Sequence, residues 1–278
     1  MSRMQTTALK SLIGTADAGG YTLPDELLTA WNTYQAVQAL TLPELPQMPV
    51  DAAAARLVAS VTAGDPLDLL EVGRDAQRVE DDRQAVAIAQ RVLAEAIEQA
   101  DNAVSSLAAD LTERIITEHL RPAYQDVLSK AHTAGAALEG YGLDPHTLLQ
   151  APAKARGAYF DLSSLVERRT AIWTARRNAN AIGYRTVQHD TENRFLEFAN
   201  PLAFHPNLPA AARFPGVPAP EDPKAHLLWL ITPEATAAKP WLPTPDEQDQ
   251  AWHEVYGAAV ENRRVRAVAA RAYAGQQV

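Results

Sequence analysis

The sequence contains no cysteine. Disulfide bonds and thiolate metal ligation are therefore excluded, and a reducing compartment is the default expectation. Aromatic residues make up only 6% of the chain, against a hydrophobic fraction of 47% that owes much to alanine. Alanine favours helix while burying little area per residue. The composition thus predicts long, thinly packed helices rather than a thick core. Long apolar runs are missing too. Near the start, Ser11–Gly14 (SLIG) is too short and polar for a signal-peptide core, and no stretch approaches roughly eighteen apolar residues. The expectation is a chain without membrane spans, cytoplasmic or carried in a virion.

Signatures of chemistry are also absent. There is no phosphate loop, dinucleotide fingerprint or serine elbow. The histidines at 119, 132, 146, 189, 205, 226 and 253 form no pair at i, i+4. Trp252–Gly257 (WHEVYG) begins like a zinc-protease helix but lacks the second histidine, and no Glu-x-x-His occurs for a di-iron bundle. No cofactor, metal or catalytic residue is expected, and an enzyme with scattered groups ranks third among the readings.

What the chain does contain is helical patterning. Residues 1–20 read as loosely ordered. Leu27, Leu28, Trp31, Tyr34 and Val37 follow at helical spacing behind Pro24. A proline-interrupted linker over 41–50 leads to a short helix between Asp51 and Gly64. From Asp65 to Leu120, Val79, Val86, Leu93, Ala100 and Leu107 repeat every seven residues, with Ile97, Val104 and Leu111 as a second seam. This predicts a coiled-coil-like helix, weak where Arg83 and Gln90 interrupt the seam, and on the order of 80 Å long. Pro122 is expected to kink or end it. A further helix then runs towards Gly140, Leu143–Gln150 (LDPHTLLQ) forms a short helical piece, and Asp161 or Ser163 opens another helix that Gly183 closes.

Residues 186–243 are rich in proline, so an irregular section is expected, with His226–Ile231 (HLLWLI) as a small strand or buried extended run. Thr244–Glu247 matches a capping box that starts an amphipathic helix to about Ala274. The resulting divisions are 1–64, 65–185, 186–243 and 244–278. The fold class is all-α: a long helix packed with shorter ones, an irregular proline-rich section and a C-terminal helix.

Charge is uneven. Residues 65–120 hold thirteen acids and five arginines, whereas 151–185 hold seven basic residues and two acids. On a wheel of about 100° per residue, Arg169 and Arg176 share the apolar arc with Leu165, Ile172 and Trp173, flanked by Arg168 and Arg177. Three accounts fit: stems snorkelling to a rim, pairing with carboxylates of the acidic long helix or another subunit, or phosphate binding. Trp31 and Trp173 read as core anchors, and Trp229 and Trp241 as pins holding the proline-rich section.

The favoured function is structural: a helical assembly or scaffold-type protein making protein–protein contacts, as a homo-oligomer or with a capsid or assembly partner. Its contact residues are Arg168, Arg169, Trp173, Arg176, Arg177, the seam residues Val86, Leu93, Ile97, Val104, Leu107 and Leu111, and Arg263, Arg264 and Arg266. An acidic helical body with a basic helix near the C-terminus resembles the layout of phage scaffolding and head-associated proteins. The alternative is a nucleic-acid-associated accessory factor acting through 156–185 and 263–271.

Overall fold

A computed structural model describes residues 3–44, 49–63, 69–183, 196–206 and 217–256. Their regular elements are helices, and the only strand-like pairing among them is an isolated antiparallel bridge between Phe198 and Pro240. The long helix packed with shorter ones is therefore present. The chain divides into two units, residues 25–104 and the remainder.

In the 25–104 unit, α3 (Asp25–Gln38) and α4 (Pro49–Ala63) accompany most of α5 (Leu69–Asp110), a helix of 42 residues. Leu27, Trp31 and Tyr34 are buried from α3, with the two rings 5.4 Å apart. Burial, with the Asp101 carboxylate of α5 nearby, raises the Tyr34 hydroxyl pKa against the bond from Gln38. Arg56 of α4 meets Asp75 at 3.2 Å near its start.

The other unit begins with α1 (Arg3–Gly14) and α2 (Ala16–Gly19). The loosely ordered N-terminus expected from polarity is thus a helix, because Leu9 and Leu12 fall on one face and are fully buried. Tyr21 closes this corner. Its hydroxyl donates to the Leu12 carbonyl at 2.6 Å and sits 2.7 Å from Thr15 Oγ1. Burial pushes the phenol up to about 12, against a smaller opposing effect of Thr15.

After α5 the helical path continues through α6 (Thr112–Arg114), a π-helical turn (Ile115–Leu120) and α7 (Arg121–Ala137). Pro122 therefore neither ends nor breaks the path. A proline at 122 has no N–H for the 118 carbonyl, and the wider turn just before it absorbs that loss, with Arg121 N–H bonding back to Ile116 O. Ile115, Ile116 and Leu120 are fully buried there.

Next come α8 (Pro145–Leu149), capped by Asp144 through Thr147 N–H at 2.9 Å, and α9 (Ala153–Ile182). The latter starts at Ala153, well before Asp161 or Ser163. Ala155, Ala158, Leu162, Leu165, Ile172, Ala175, Ala179 and Ile182 form its buried stripe, and α1, α2 and α7 pack closely around it. Small residues on this stripe let the neighbouring helices approach closely despite the shortage of aromatics.

The proline-rich section is also more regular than expected. A 3₁₀ turn (Pro201–Ala203), α10 (Pro223–Trp229) and α11 (Pro233–Ala237) lie within it. His226–Ile231 is thus mostly helix, not strand. Both helices place proline in their first turn, where its missing N–H costs nothing, behind Asp222 and Thr232, which accept from Ala225 and Ala235. Residues 245–256 are helical, and the remainder of the expected terminal helix lies outside the described residues.

Candidate functional site

Four arginines of α9 decide what its basic stripe does. Arg168 spans three elements: Nε donates to Gly19 O at 2.9 Å, Nη2 to Gly20 O at 3.3 Å, and Nη1 to Asp126 of α7 at 2.5 Å. Asp126 also accepts from Lys130 at 2.8 Å, and that bond, with Arg168 and against some burial, holds its carboxyl below the usual range.

Arg169 points into a half-buried polar cluster. Its Nη2 donates to Glu197, which also meets His226 Nε2 at 3.1 Å. Glu197 is placed by backbone pairing of its segment with 238–241: Trp241 N–H donates to Glu197 O at 3.1 Å and Ala199 N–H to Lys239 O at 3.0 Å. Burial opposes its ionisation, but the bond from His226 and the Arg169 charge outweigh it and lower the pKa. Tyr124 lies fully buried alongside, edge-on to Trp173 with centroids 6.0 Å apart. Burial and the Glu197 charge push its hydroxyl far up, with Arg169 partly offsetting them. Phe198, Phe204 and Trp229 wall the cluster, and Trp229 meets the His226 ring at 5.8 Å.

Arg176 is 2% exposed. Its Nε donates to Pro243 O at 2.7 Å, Nη2 donates to Gln248 at 2.9 Å, and the guanidinium stands 5.6 Å over the Trp173 ring. Burial lowers its pKa to about 10 despite Glu247 nearby. Arg177 is exposed and donates to Thr174 Oγ1 at 3.2 Å. The capping box beside Arg176 is formed as expected. Thr244 N–H donates to Glu247 at 2.8 Å, Glu247 N–H donates to Thr244 Oγ1 at 3.2 Å, and Arg121 holds the same carboxylate at 2.5 Å.

Pairing is thus the arrangement adopted by Arg168 and Arg169, but with Asp126 and Glu197 rather than with the acidic long helix. Asp126, Glu197 and His226 were not singled out from sequence. Asp126 carried a signal in Lys130 four residues on, whereas Glu197 stands in a segment without periodicity. The ring nitrogen Nε2 of His226 is engaged by Glu197 and Arg169, and no group of three metal-ligating residues occurs among the described residues. The cluster is built as a tie between α7, α9, α10 and the 196–200 segment.

The 25–104 unit has the opposite character. It holds fourteen acids and five arginines, net −9, the whole of the chain's formal charge, while the remaining residues carry twenty of each sign. Leu40, Val58, Val61, Leu69, Leu70, Ile88 and Val92 are exposed there. Of the seam residues, Val86, Leu93, Ile97 and Leu107 are half-buried, and Val104 and Leu111 are buried. Leu70, Ile88 and Val92 lie on the other side of α5, within about 40° of one another at 100° per residue. Arg263, Arg264 and Arg266 lie outside the described residues.

The chain matches no protein-family model, no curated protein and no solved structure.

Proposed function

We propose that the protein is a structural component of a helical assembly, its 25–104 unit offering a surface for contacts with other copies of the chain. One observation carries this reading. Of the nine large apolar side chains exposed among the described residues, seven belong to that unit. Water-exposed Leu, Ile and Val concentrated on a few helices mark an association surface far better than the same residues scattered singly. The other unit supplies a body tied by Arg168, Arg169 and Arg176, so that three of the four α9 arginines are already occupied and lend no support to a phosphate-binding surface. Assembly is also what the resemblance to phage scaffolding and head-associated proteins implies, and a virion component is the finer form of the proposal.

Light scattering combined with small-angle scattering tests it. Particle mass is expected to rise above that of one chain with concentration, and Ile88→Asp with Val92→Asp is expected to lower it. A compact monomer whose mass does not change with concentration overturns the proposal.

A further inference from the structure

The partition of charge suggests what covers the acidic unit. Two copies of it would bring −9 against −9, so face-to-face pairing of this surface with itself is opposed by the charge it carries. The complementary charge occurs elsewhere in the same sequence. Residues 257–278 contain Arg263, Arg264, Arg266 and Arg271 against the single acid Glu261, net +3, interspersed with Val260, Val265, Val268 and Tyr273. Cationic and apolar groups in alternation are what the exposed surface of α5 would accept. There Ile88 and Val92 are exposed on the same side of α5 as Asp81 and Glu95, at about 100° per residue, and away from the seam. Among the described residues those two carboxylates accept local bonds from Gln77 and Gln99, at 3.0 Å each, which an arginine can replace.

We infer that the acidic, apolar surface of α5 in one copy takes up the arginine-rich segment 257–278 of a second copy. Donor and acceptor are different surfaces, and every copy carries both. The contact is therefore head-to-tail, and it propagates or closes into a ring according to the rotation between neighbours, instead of stopping at a two-fold dimer. This inference rests on the assembly reading above and names the occupant of the same surface. The arginines contribute as charge-assisted donors to Asp81 and Glu95, while the valines cover Ile88 and Val92.

Charge reversal in the full-length protein tests it. One variant carries Arg263→Glu, Arg264→Glu and Arg266→Glu, and the other carries Asp81→Arg and Glu95→Arg. Circular dichroism confirms that both stay helical. Sedimentation velocity over a micromolar concentration series reads association. Each variant alone is expected to associate about tenfold more weakly than wild type. An equimolar mixture is expected to recover association, because the reversed tail then meets the reversed arm. Association unchanged by either reversal, or not recovered on mixing, overturns this inference while leaving the assembly reading in place. A wild-type protein that stays monomeric sinks the assembly reading itself.

Discussion

Arg176 and Pro243 stand 67 residues apart in the chain, yet the Nε of one donates to the carbonyl of the other at 2.7 Å. This bond, with the one to Gln248, seats the start of the 245–256 helix against α9. A guanidinium is suited to that position because it satisfies two acceptors in fixed directions while keeping its charge.

Replacing Arg176 with Met keeps much of the stem but leaves the Pro243 carbonyl and the Gln248 side chain without their donor. A loss of about 3 kcal/mol is expected in urea unfolding. Arg176→Lys is expected to recover only part of it, since a single ammonium cannot span both acceptors.

Glu197 has a lowered pKa in the folded protein, so its contribution is fully present above its ordinary value of 4.5 and is lost as pH falls through the lowered one. Glu197→Gln is expected to remove that part of the acid sensitivity. It also leaves Arg169 without its counter-charge in a half-buried site, at a cost of about 1–3 kcal/mol at neutral pH. Unfolding curves over a pH series measure both effects, and an unaltered acid limb would contradict the assignment.

The two members of the capping box are expected to differ. Thr244→Ala removes one acceptor from the helix start and costs about 1 kcal/mol. Glu247→Ala removes a cap and also frees Arg121, which bonds the same carboxylate and the Leu242 carbonyl. It should be the more damaging, with coupling to Arg121→Ala in a double-mutant cycle.

Leu9→Ala and Leu12→Ala test whether the first helix belongs to the core. Both side chains are fully buried, so each is expected to cost about 2–5 kcal/mol in chemical denaturation. Ile88→Ala, on a residue 57% exposed, is expected to change stability by about 0.5 kcal/mol or less.

Gly20 adopts φ 61°, and a Cβ there would come within 2.6 Å of Arg168 Nε. Gly20→Ala is expected to cost more than about 1 kcal/mol from backbone conformation alone. It should also shift Arg168 away from the Gly19 and Gly20 carbonyls. A matching gain in amide exchange at the end of α2 would report that shift.

Much of the fold was legible where local rules are strong. The helix of Leu27, Trp31 and Tyr34, the short helix ending at Ala63, the Gly183 stop and the Thr244–Glu247 cap follow from periodicity and from side chains bonding their own backbone. Errors fell where a local reading met a stronger tertiary or positional effect. Residues 1–20 read as loosely ordered because they are polar and contain glycine, and the burial of Leu9 and Leu12 orders a helix there. Prolines at 223 and 233 looked like breakers, and behind Asp222 and Thr232 they are starters. Pro122 was expected to kink or end the helix, and the helical path continues past it through a π-helical turn.

The candidate site divides in the same way. The sequence by itself determined that Arg169 and Arg176 face inward, because helical geometry fixes direction once the helix is known. It also determined that the acidic surplus sits between residues 25 and 104. Which groups the arginines meet was decided only by tertiary structure. Asp126, Glu197, Pro243 and Gln248 are brought to α9 from 42, 28, 67 and 72 residues away. No sequence period encodes such pairings, since they arise from how separate elements pack around a shared stripe of small side chains.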